Sequence, residues 1–256
     1  MFKKFNGKSL LFIGPGISKE CIELDRAKEK VDYVACLNDG VLYHKCDLYF
    51  VAEKFIFNYV KSKVRDRLND SLIVFLGLHK KHKLRIDKSF FKKNKPKFKS
   101  ILFAESISNL KKNELKYYLP LCGEFSDKNM NVLSNLLHCF PKGEFKYIRA
   151  RTLANALQVI YNFEFKKVYL IGFMDSLKFK RSDNSHQQKY VKIAKGIRSN
   201  LRPPEERSED ELKNSFDYQC QVLVTINCVY NKNNKFIYNL CPKDKSPQHY
   251  LEYVSL

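Results

Sequence analysis

A glycine-rich bend directly follows the first apolar run of this sequence and has the composition of a phosphate-binding turn. The run is 9–13, and the bend at 14–18 reads Gly-Pro-Gly-Ile-Ser. Glycine allows the backbone to approach a phosphate closely, and the amides that open a following helix point at the anion. Because the P-loop lysine and the full dinucleotide fingerprint are missing, an anion site and a plain tight turn are equally compatible with this segment alone. The residues that would contact a phosphate are Gly14, Pro15, Gly16 and Ser18.

Two later turns also place polar or flexible residues after an apolar run. The second run ends at Asn38, and the carboxylate of Asp39 beside it can contact a ribose, although Asn-Asp-Gly is first of all a turn signal. The clearest apolar run of the second half ends at Gly172, and Asp175 follows it. Asp175 is a candidate functional carboxylate, and a capping or turn role is the alternative.

A polar segment at 176–210 contains a candidate catalytic base. Long segments of this kind in compact domains are usually functional lids or disordered, and a lid would keep water out of an active site. His186 lies in this segment, and its imidazole titrates near neutral pH, as a base for an acceptor hydroxyl should. A solvated loop histidine is the alternative.

Metal-ligating patterns are missing from the sequence. It contains no Asp-x-Asp, which is the usual carboxylate site for the metal of a nucleotide-sugar. The eight cysteines occur without a Cys-x-x-Cys pair, so we expect buried, reduced thiols rather than a zinc or redox site. We therefore expect no metal and no cofactor.

The net charge of +20 indicates an anionic partner: nucleic acid, a membrane surface or a phosphorylated substrate. The segment 79–99 is predicted to be a basic surface insertion, because Lys80 to Lys99 holds ten Lys or Arg residues against one acid. Basic residues interleaved with phenylalanines suit an anionic inner-membrane surface, and a merely solvated face is the alternative. The phenylalanines expected to enter the headgroups are Phe90, Phe91 and Phe98.

The start of the sequence lacks a secretory pattern, because its first apolar stretch is interrupted by glycine and proline. No run approaches the roughly 20 apolar residues that span a bilayer. We therefore expect a cytoplasmic protein that is peripheral at the inner membrane.

The elements that must position these residues alternate between strands and helices. Such alternation predicts one α/β domain over 1–256, with a Rossmann-like, mostly parallel sheet covered by helices on both faces. Ligands of such sheets bind beyond the carboxyl ends of strands, where the three turns lie. Strands are expected at 9–13, 31–37, 47–52, 71–76, 100–103, 147–150, 167–172 and 235–240, and helices at 19–30, 56–68, 107–117, 129–140, 153–161 and 211–229.

Several motifs occur in the order found in one known family. They are the Gly-x-Gly-x-Ser bend, a strand ending in Asn38, the run 149–152 (Arg-Ala-Arg-Thr) before a helix, a Val-Tyr-Leu-Ile-Gly strand, and Asp-Asn-Ser-His at 183–186. In these motifs and their order, the chain resembles the bacterial lipooligosaccharide sialyltransferases. The resemblance implies a metal-independent transferase with CMP-sialic acid or a similar CMP-ulosonate as donor. The residues that it implies for the nucleotide are Gly14, Gly16, Ser18, Asn38 and Thr152.

The chain departs from the family pattern at several positions. Pro15 stands where the family has Asn between its glycines, and the position of the family's base is Tyr190. The tyrosines that steady the leaving phosphate have no counterparts, and Lys178 and Lys180 occur there instead. Flagellin-modifying and Kdo transferases are more distant resemblances.

Together these observations predict transfer of an acidic sugar (sialic acid, Kdo or a related ulosonate) from a CMP donor to a cell-surface glycan or lipopolysaccharide acceptor. One alternative is a pyrophosphokinase-like enzyme on the same core, which needs Mg²⁺ and an acidic ligand pair. The other is a nucleic-acid-binding protein, supported by charge alone because no recognition motif occurs. Oligomeric state is not indicated.

Overall fold

A computed structural model describes most of the first half of the chain and parts of the second. Several predicted features lie outside the described residues: two helices in the middle of the chain, the polar segment 176–210, and the candidate residues Pro15, Gly16, Ser18, Asp175 and His186. The described residues are 2–14, 23–78, 81–106, 145–147, 152–173, 223–224, 226–241 and 251–256.

The described residues form one nine-stranded sheet in which every neighbouring pair is parallel. This confirms the predicted parallel α/β sheet. The order is β6-β5-β4-β3-β2-β1-β7-β8-β9. The strands are β1 Ser9–Ile13, β2 Tyr33–Leu37, β3 Leu48–Val51, β4 Leu72–Gly77, β5 Ile101–Ser106, β6 Lys146–Tyr147, β7 Lys167–Ile171, β8 Phe236–Asn239 and β9 Glu252–Tyr253.

Helices connect these strands. They are α1 Leu24–Glu29, α2 Lys54–Asp70, α3 Lys88–Asn94 and α4 Thr152–Tyr161, with a further helical stretch at 223–224 and 226–232. The sequence predicted α1, α2 and α4 but not α3. The carboxylate of Asp87 caps α3 by accepting a hydrogen bond from the backbone N–H of Phe90. The turn expected after β2 is a short 3₁₀ helix, Asn38–Leu42.

Both faces of the sheet are covered, as predicted. Side chains alternate along a strand, so Leu10 and Phe12 of β1 face α4 and the stretch 226–232. Leu11 and Ile13 of the same strand face α1, α2 and α3. Each face buries a continuous apolar cluster, which accounts for the apolar runs read from the sequence.

The phenylalanines of the basic segment point into the protein, so the prediction that they enter a membrane is wrong. The rings of Phe90 and Phe98 lie 5.8 and 5.6 Å from the ring of Phe57 on α2. Phe91 packs 5.3 Å from Phe103 on β5. Phe98 is buried and the other two are half-buried. Contact with this core removes their apolar area from water more completely than headgroups would.

The strand order places β1 at the topological switch point. The chain adds β2 to β6 on one side of β1 and then returns to place β7, β8 and β9 on the other side. The carboxyl ends of β7, β1 and β2 therefore lie side by side, at the position where doubly wound sheets bind ligands.

Candidate functional site

The bend after β1 and the bend after β7 touch each other. The backbone N–H of Gly14 donates a hydrogen bond of 2.8 Å to the carbonyl oxygen of Ile171, the last residue of β7. A Cβ atom on Gly14 would lie 2.2 Å from the carbonyl oxygen of Gly172 and 2.6 Å from Cδ1 of Phe173. Only glycine fits at position 14, so the sequence signal reflects a close approach of two backbones.

Gly172 turns the chain away from the sheet edge. Its φ of +76° lies in the left-handed region, which glycine adopts without the penalty that a Cβ brings. The next residue, Phe173, packs its ring 4.8 Å from the ring of Phe12. The rings of Phe12 and Phe173 therefore form an apolar surface next to the two glycines.

Asn38 directly follows β2, the strand next to β1, and also has a left-handed backbone, with φ +54°. Asparagine tolerates that conformation better than most residues. Its Oδ1 atom is buried and makes no hydrogen bond with the residues that the structure describes. An unsatisfied buried acceptor costs about 1–3 kcal/mol, and a donor group on a ligand would remove that cost.

The 3₁₀ helix after β2 packs against the end of β1. A Cβ on Gly40 would lie 3.3 Å from the carbonyl oxygen of Ile13, so a small residue is needed there. Asp39, considered above for a ribose, is 7% exposed. Burial and the charge of Asp39 raise the pKa of Tyr43. The structure thus places the Asp39 side chain inside the protein, in the 3₁₀ helix that follows β2.

Thr152 is the first residue of α4, whereas the sequence predicted it as the cap before the helix. Residues Leu153–Tyr161 are buried throughout, and α4 packs over β4 and β6. Because α4 follows β6, its amino end lies on the carboxyl side of the sheet, with the partial positive charge of a helix start. The structure thus brings Gly14, Gly172 and Asn38 together and sets Thr152 over other strands.

Two contributors to this edge were missed by the sequence reasoning. Phe173 was not considered, and the packing of Gly40 against β1 was not foreseen. The signals were faint: an aromatic residue directly after Gly172, and a glycine two residues after Asn38. Neither pattern indicates which strand will lie next to it.

A cavity of about 220 Å³ lies near the carboxyl ends of β8 and β9. The described residues around it include Arg26 of α1, Leu240 and Tyr253. Pockets for ligands of nucleotide size usually measure about 300–1,000 Å³, so this cavity is too small for a CMP-sugar. Neither Gly14 nor Gly172 is among the described residues that line this cavity.

Within the described part of the chain, no group of three His, Cys, Asp or Glu side chains is placed to hold a metal ion. The described cysteines form no disulfide with one another, and Cys36, Cys46 and Cys241 are buried, as expected for structural thiols. Among the described helices, none is long and apolar enough to cross a bilayer.

Comparison with known proteins gave no match to a family model and no match to a curated protein. Solved structures of the sialyltransferase CstII from Campylobacter jejuni do match. A single-residue variant of this sialyltransferase in complex with CMP has a TM-score of 0.54 at 15% identity, over 97% of this chain and 87% of that chain. A second variant with CMP has a TM-score of 0.52 at 15% identity, over 96% and 86%.

A third structure, a variant described as an alpha-2,3/8-sialyltransferase, has a TM-score of 0.51 at 14% identity, over 97% of this chain and 87% of that chain. At this identity the matches show the fold. They confirm the Rossmann-like α/β architecture, and they agree with the sialyltransferase resemblance drawn from the motifs.

Proposed function

We propose that this chain is a sialyltransferase-like glycosyltransferase that uses a CMP-activated acidic sugar as donor. The observation that carries the proposal is the contact between Gly14 and Gly172 at the switch point, together with the buried Oδ1 of Asn38 after the adjacent strand, which has no hydrogen-bond partner among the residues that the structure describes. The shared fold with a sialyltransferase solved in complex with CMP supports it. The motif order in the sequence supports the same family.

In this proposal each residue at the edge has a separate role. The N–H of Gly14 is bonded to Ile171 and Pro15 has no N–H, so these two residues would shape the bend, while the amide of Gly16 and the amide and hydroxyl of Ser18 would contact the phosphate. Oδ1 of Asn38 accepts a hydrogen bond from a hydroxyl or amino group of the cytidine. Gly172 leaves room for the nucleotide, and the hydroxyl of Thr152 lies at the positive end of α4.

The reaction would break the bond between the anomeric carbon of the sugar and a phosphate oxygen of CMP. A bond from the acceptor oxygen to the same carbon forms, and the acceptor proton passes to a base, proposed to be His186 with Asp175 as the second catalytic group. The leaving phosphate gains negative charge, and amides, hydroxyls and lysines stabilise it. The proposed mechanism uses no metal ion.

The finer assignments are parts of the same proposal. The sugar would be sialic acid, Kdo or a related ulosonate, and the acceptor a cell-surface glycan or lipopolysaccharide. The enzyme would act in the cytoplasm at the inner membrane, where such acceptors are built.

A thermal-shift panel of CMP, CDP, UDP, GDP and ATP tests the donor class. A ligand at 100 times its Kd stabilises the folded state by about 2.7 kcal/mol, so CMP should raise Tm measurably while the purine nucleotides do not. Hydrolysis of a CMP-sugar should persist in EDTA. No response to millimolar CMP, or a response to ATP that needs Mg²⁺, would overturn the proposal and favour the pyrophosphokinase-like alternative.

A further inference from the structure

The basic segment is fixed rigidly to the sheet by a buried carboxylate. Asp87 is 1% exposed and accepts hydrogen bonds from Nζ of Lys54 at 2.5 Å, the Ser89 hydroxyl at 2.5 Å and the backbone N–H of His82 at 3.1 Å. The backbone N–H of Leu78, directly after β4, donates to the carbonyl oxygen of Ile86. The segment is therefore held at the ends of β3 and β4 and is part of the folded domain.

This anchoring turns the cations of the segment outward. Phe90, Phe91 and Asn94 form the inner side of α3, and Phe98 is buried after it. The acidic residue between positions 81 and 99 is Asp87. Because its side chain is buried, this stretch carries no exposed carboxylate of its own. Lys88 reaches Glu105 on β5 at 3.3 Å. The exposed lysines of the stretch are Lys81, Lys83, Lys88, Lys92, Lys93, Lys95, Lys97 and Lys99.

Helix α2 adds further cations to the same side. Burial and the neighbouring charges of Lys97, Arg65 and Lys93 lower the pKa of Lys61. The ring of Phe57, one turn before Lys61 on α2, packs against Phe90 and Phe98, so Lys61 and Arg65 lie beside the basic segment that carries Lys93 and Lys97. We call this set of four side chains (Lys61, Arg65, Lys93 and Lys97) the basic face.

We propose that the basic face binds the surface of an anionic phospholipid bilayer, and that it does so by charge without inserting apolar side chains. Lysines on flexible stems suit a diffuse negative surface, and each contributes about fivefold to binding near anionic lipid. In the described chain the exposed large apolar residues are Tyr43 and Tyr253, neither of which belongs to the segment.

A nucleic acid fits this surface less well. Single strands are bound by aromatic rings on which bases stack, and the rings of this segment are turned inward. Reading of base edges relies on arginine forks, whereas the basic face has three lysines and one arginine, Arg65, and the arginine of the basic segment, Arg85, lies 3.5 Å from Glu53. The basic face lies on the α2 and α3 side of the sheet, so bilayer binding is separate from donor binding at Gly14.

Sedimentation of the full chain with vesicles tests the proposal. The vesicles are phosphatidylcholine alone or with a minority of phosphatidylglycerol, at low and high ionic strength. The variant changes all four residues of the basic face to Gln. The matched control changes four exposed lysines elsewhere, namely Lys3→Gln, Lys30→Gln, Lys167→Gln and Lys232→Gln.

The expected result is binding to the anionic vesicles only, lost at high salt and weakened at least tenfold in the basic-face variant, with the control close to wild type. Both variants should keep the wild-type Tm and the response to CMP. Equal loss in the control, equal binding to phosphatidylcholine alone, or, in a parallel titration with a DNA duplex, loss of duplex binding by the basic-face variant without loss of vesicle binding would each overturn the proposal. Because the vesicle assay contains no nucleotide, failure of the proposed enzyme function would not alter this result.

Discussion

The backbones of Gly14 and Gly172 are in direct contact at the switch point, because a Cβ on Gly14 would lie only 2.2 Å from the carbonyl oxygen of Gly172. This relationship joins the first and seventh strands of the fold. It also ties the shape of the proposed phosphate bend to the turn after β7.

Substitution of Gly14 by alanine should distort the switch point. A methyl group 2.2 Å from a backbone oxygen cannot be accommodated without moving the turn at Gly172. We expect a loss of stability of about 2 kcal/mol and loss of the thermal shift with CMP. Gly7→Ala is the control, because Gly7 also has a positive φ of +74° but open space around it and lies before β1. Gly7→Ala should lose stability yet keep the thermal shift with CMP. If Gly14→Ala also kept that shift, CMP binding at the Gly14 bend would be contradicted.

Replacement of Asn38 by glycine should separate folding from binding. Glycine keeps the left-handed backbone and removes an unsatisfied amide oxygen, so Tm should change little. The Kd for CMP, measured by calorimetry, should rise about tenfold through loss of one hydrogen bond. Asn234→Gly is closely matched, since Asn234 has the same φ of +54° in the turn before β8. An unchanged Kd in Asn38→Gly would remove Asn38 from the donor site.

Substitution of His186 by glutamine should affect turnover rather than donor binding. Loss of a general base typically lowers kcat by about a hundredfold or more, while the thermal shift with CMP should remain. Transfer from a CMP-sugar to an acceptor is the measurement. Tyr190→Phe tests the position that corresponds to the family's base. If His186→Gln keeps full activity and Tyr190→Phe loses it, the base has been assigned to the wrong residue.

Loss of the Asp87 carboxylate should change how stability depends on pH. Burial opposes ionisation, but hydrogen bonds from Lys54, Ser89 and two backbone amides outweigh it and hold the pKa of Asp87 well below 3.8. This stabilisation is present above the unfolded-state pKa and is lost as the pH falls through the lower folded-state value. Asp87→Asn should cost about 3 kcal/mol at neutral pH, since it leaves Lys54 half-buried without its charged partner.

Urea unfolding at neutral pH and at about pH 3 checks this prediction, because the difference between wild type and Asp87→Asn should shrink in acid. Asp70→Asn, a change at an exposed carboxylate on α2, should match wild type at both values. A difference that is constant with pH would show that Asp87 acts through packing and capping alone.

Lys235 should be important for the stability of α4. Its Nζ donates a hydrogen bond of 3.0 Å to the carbonyl oxygen of Tyr161 and lies 2.7 Å from a carboxylate oxygen of Glu164. The same atom lies 3.9 Å from the centre of the Tyr161 ring. Lys235→Met should lower the free energy of unfolding by about 2 kcal/mol, because the last turn of α4 loses its cation. The exposed Lys232→Met is the control. Equal urea midpoints for both variants would contradict this role.

Much of the fold could be predicted because it is encoded locally. Apolar runs such as 9–13 and 167–171 mark strands buried on both faces, and the helical spacing of Ile56 and Val60 marks α2. Strand β9 was not foreseen, since it has two exposed residues and no apolar run. Helix α3 was missed because its lysines suggest a solvated loop, while its Asp87 cap and its inner phenylalanines become visible only in the packed structure.

The sequence by itself determined that this chain is an α/β protein with flexible, polar turns after its strands, because burial and turn chemistry depend on neighbouring residues. Tertiary structure alone decided that β7 pairs with β1, and therefore that Gly14 meets Gly172 with Asn38 alongside. It also decided that the phenylalanines of the basic segment face inward. An apolar run records that a strand will be buried but not which strand it will pair with, since pairing is settled by contacts between residues far apart in the chain.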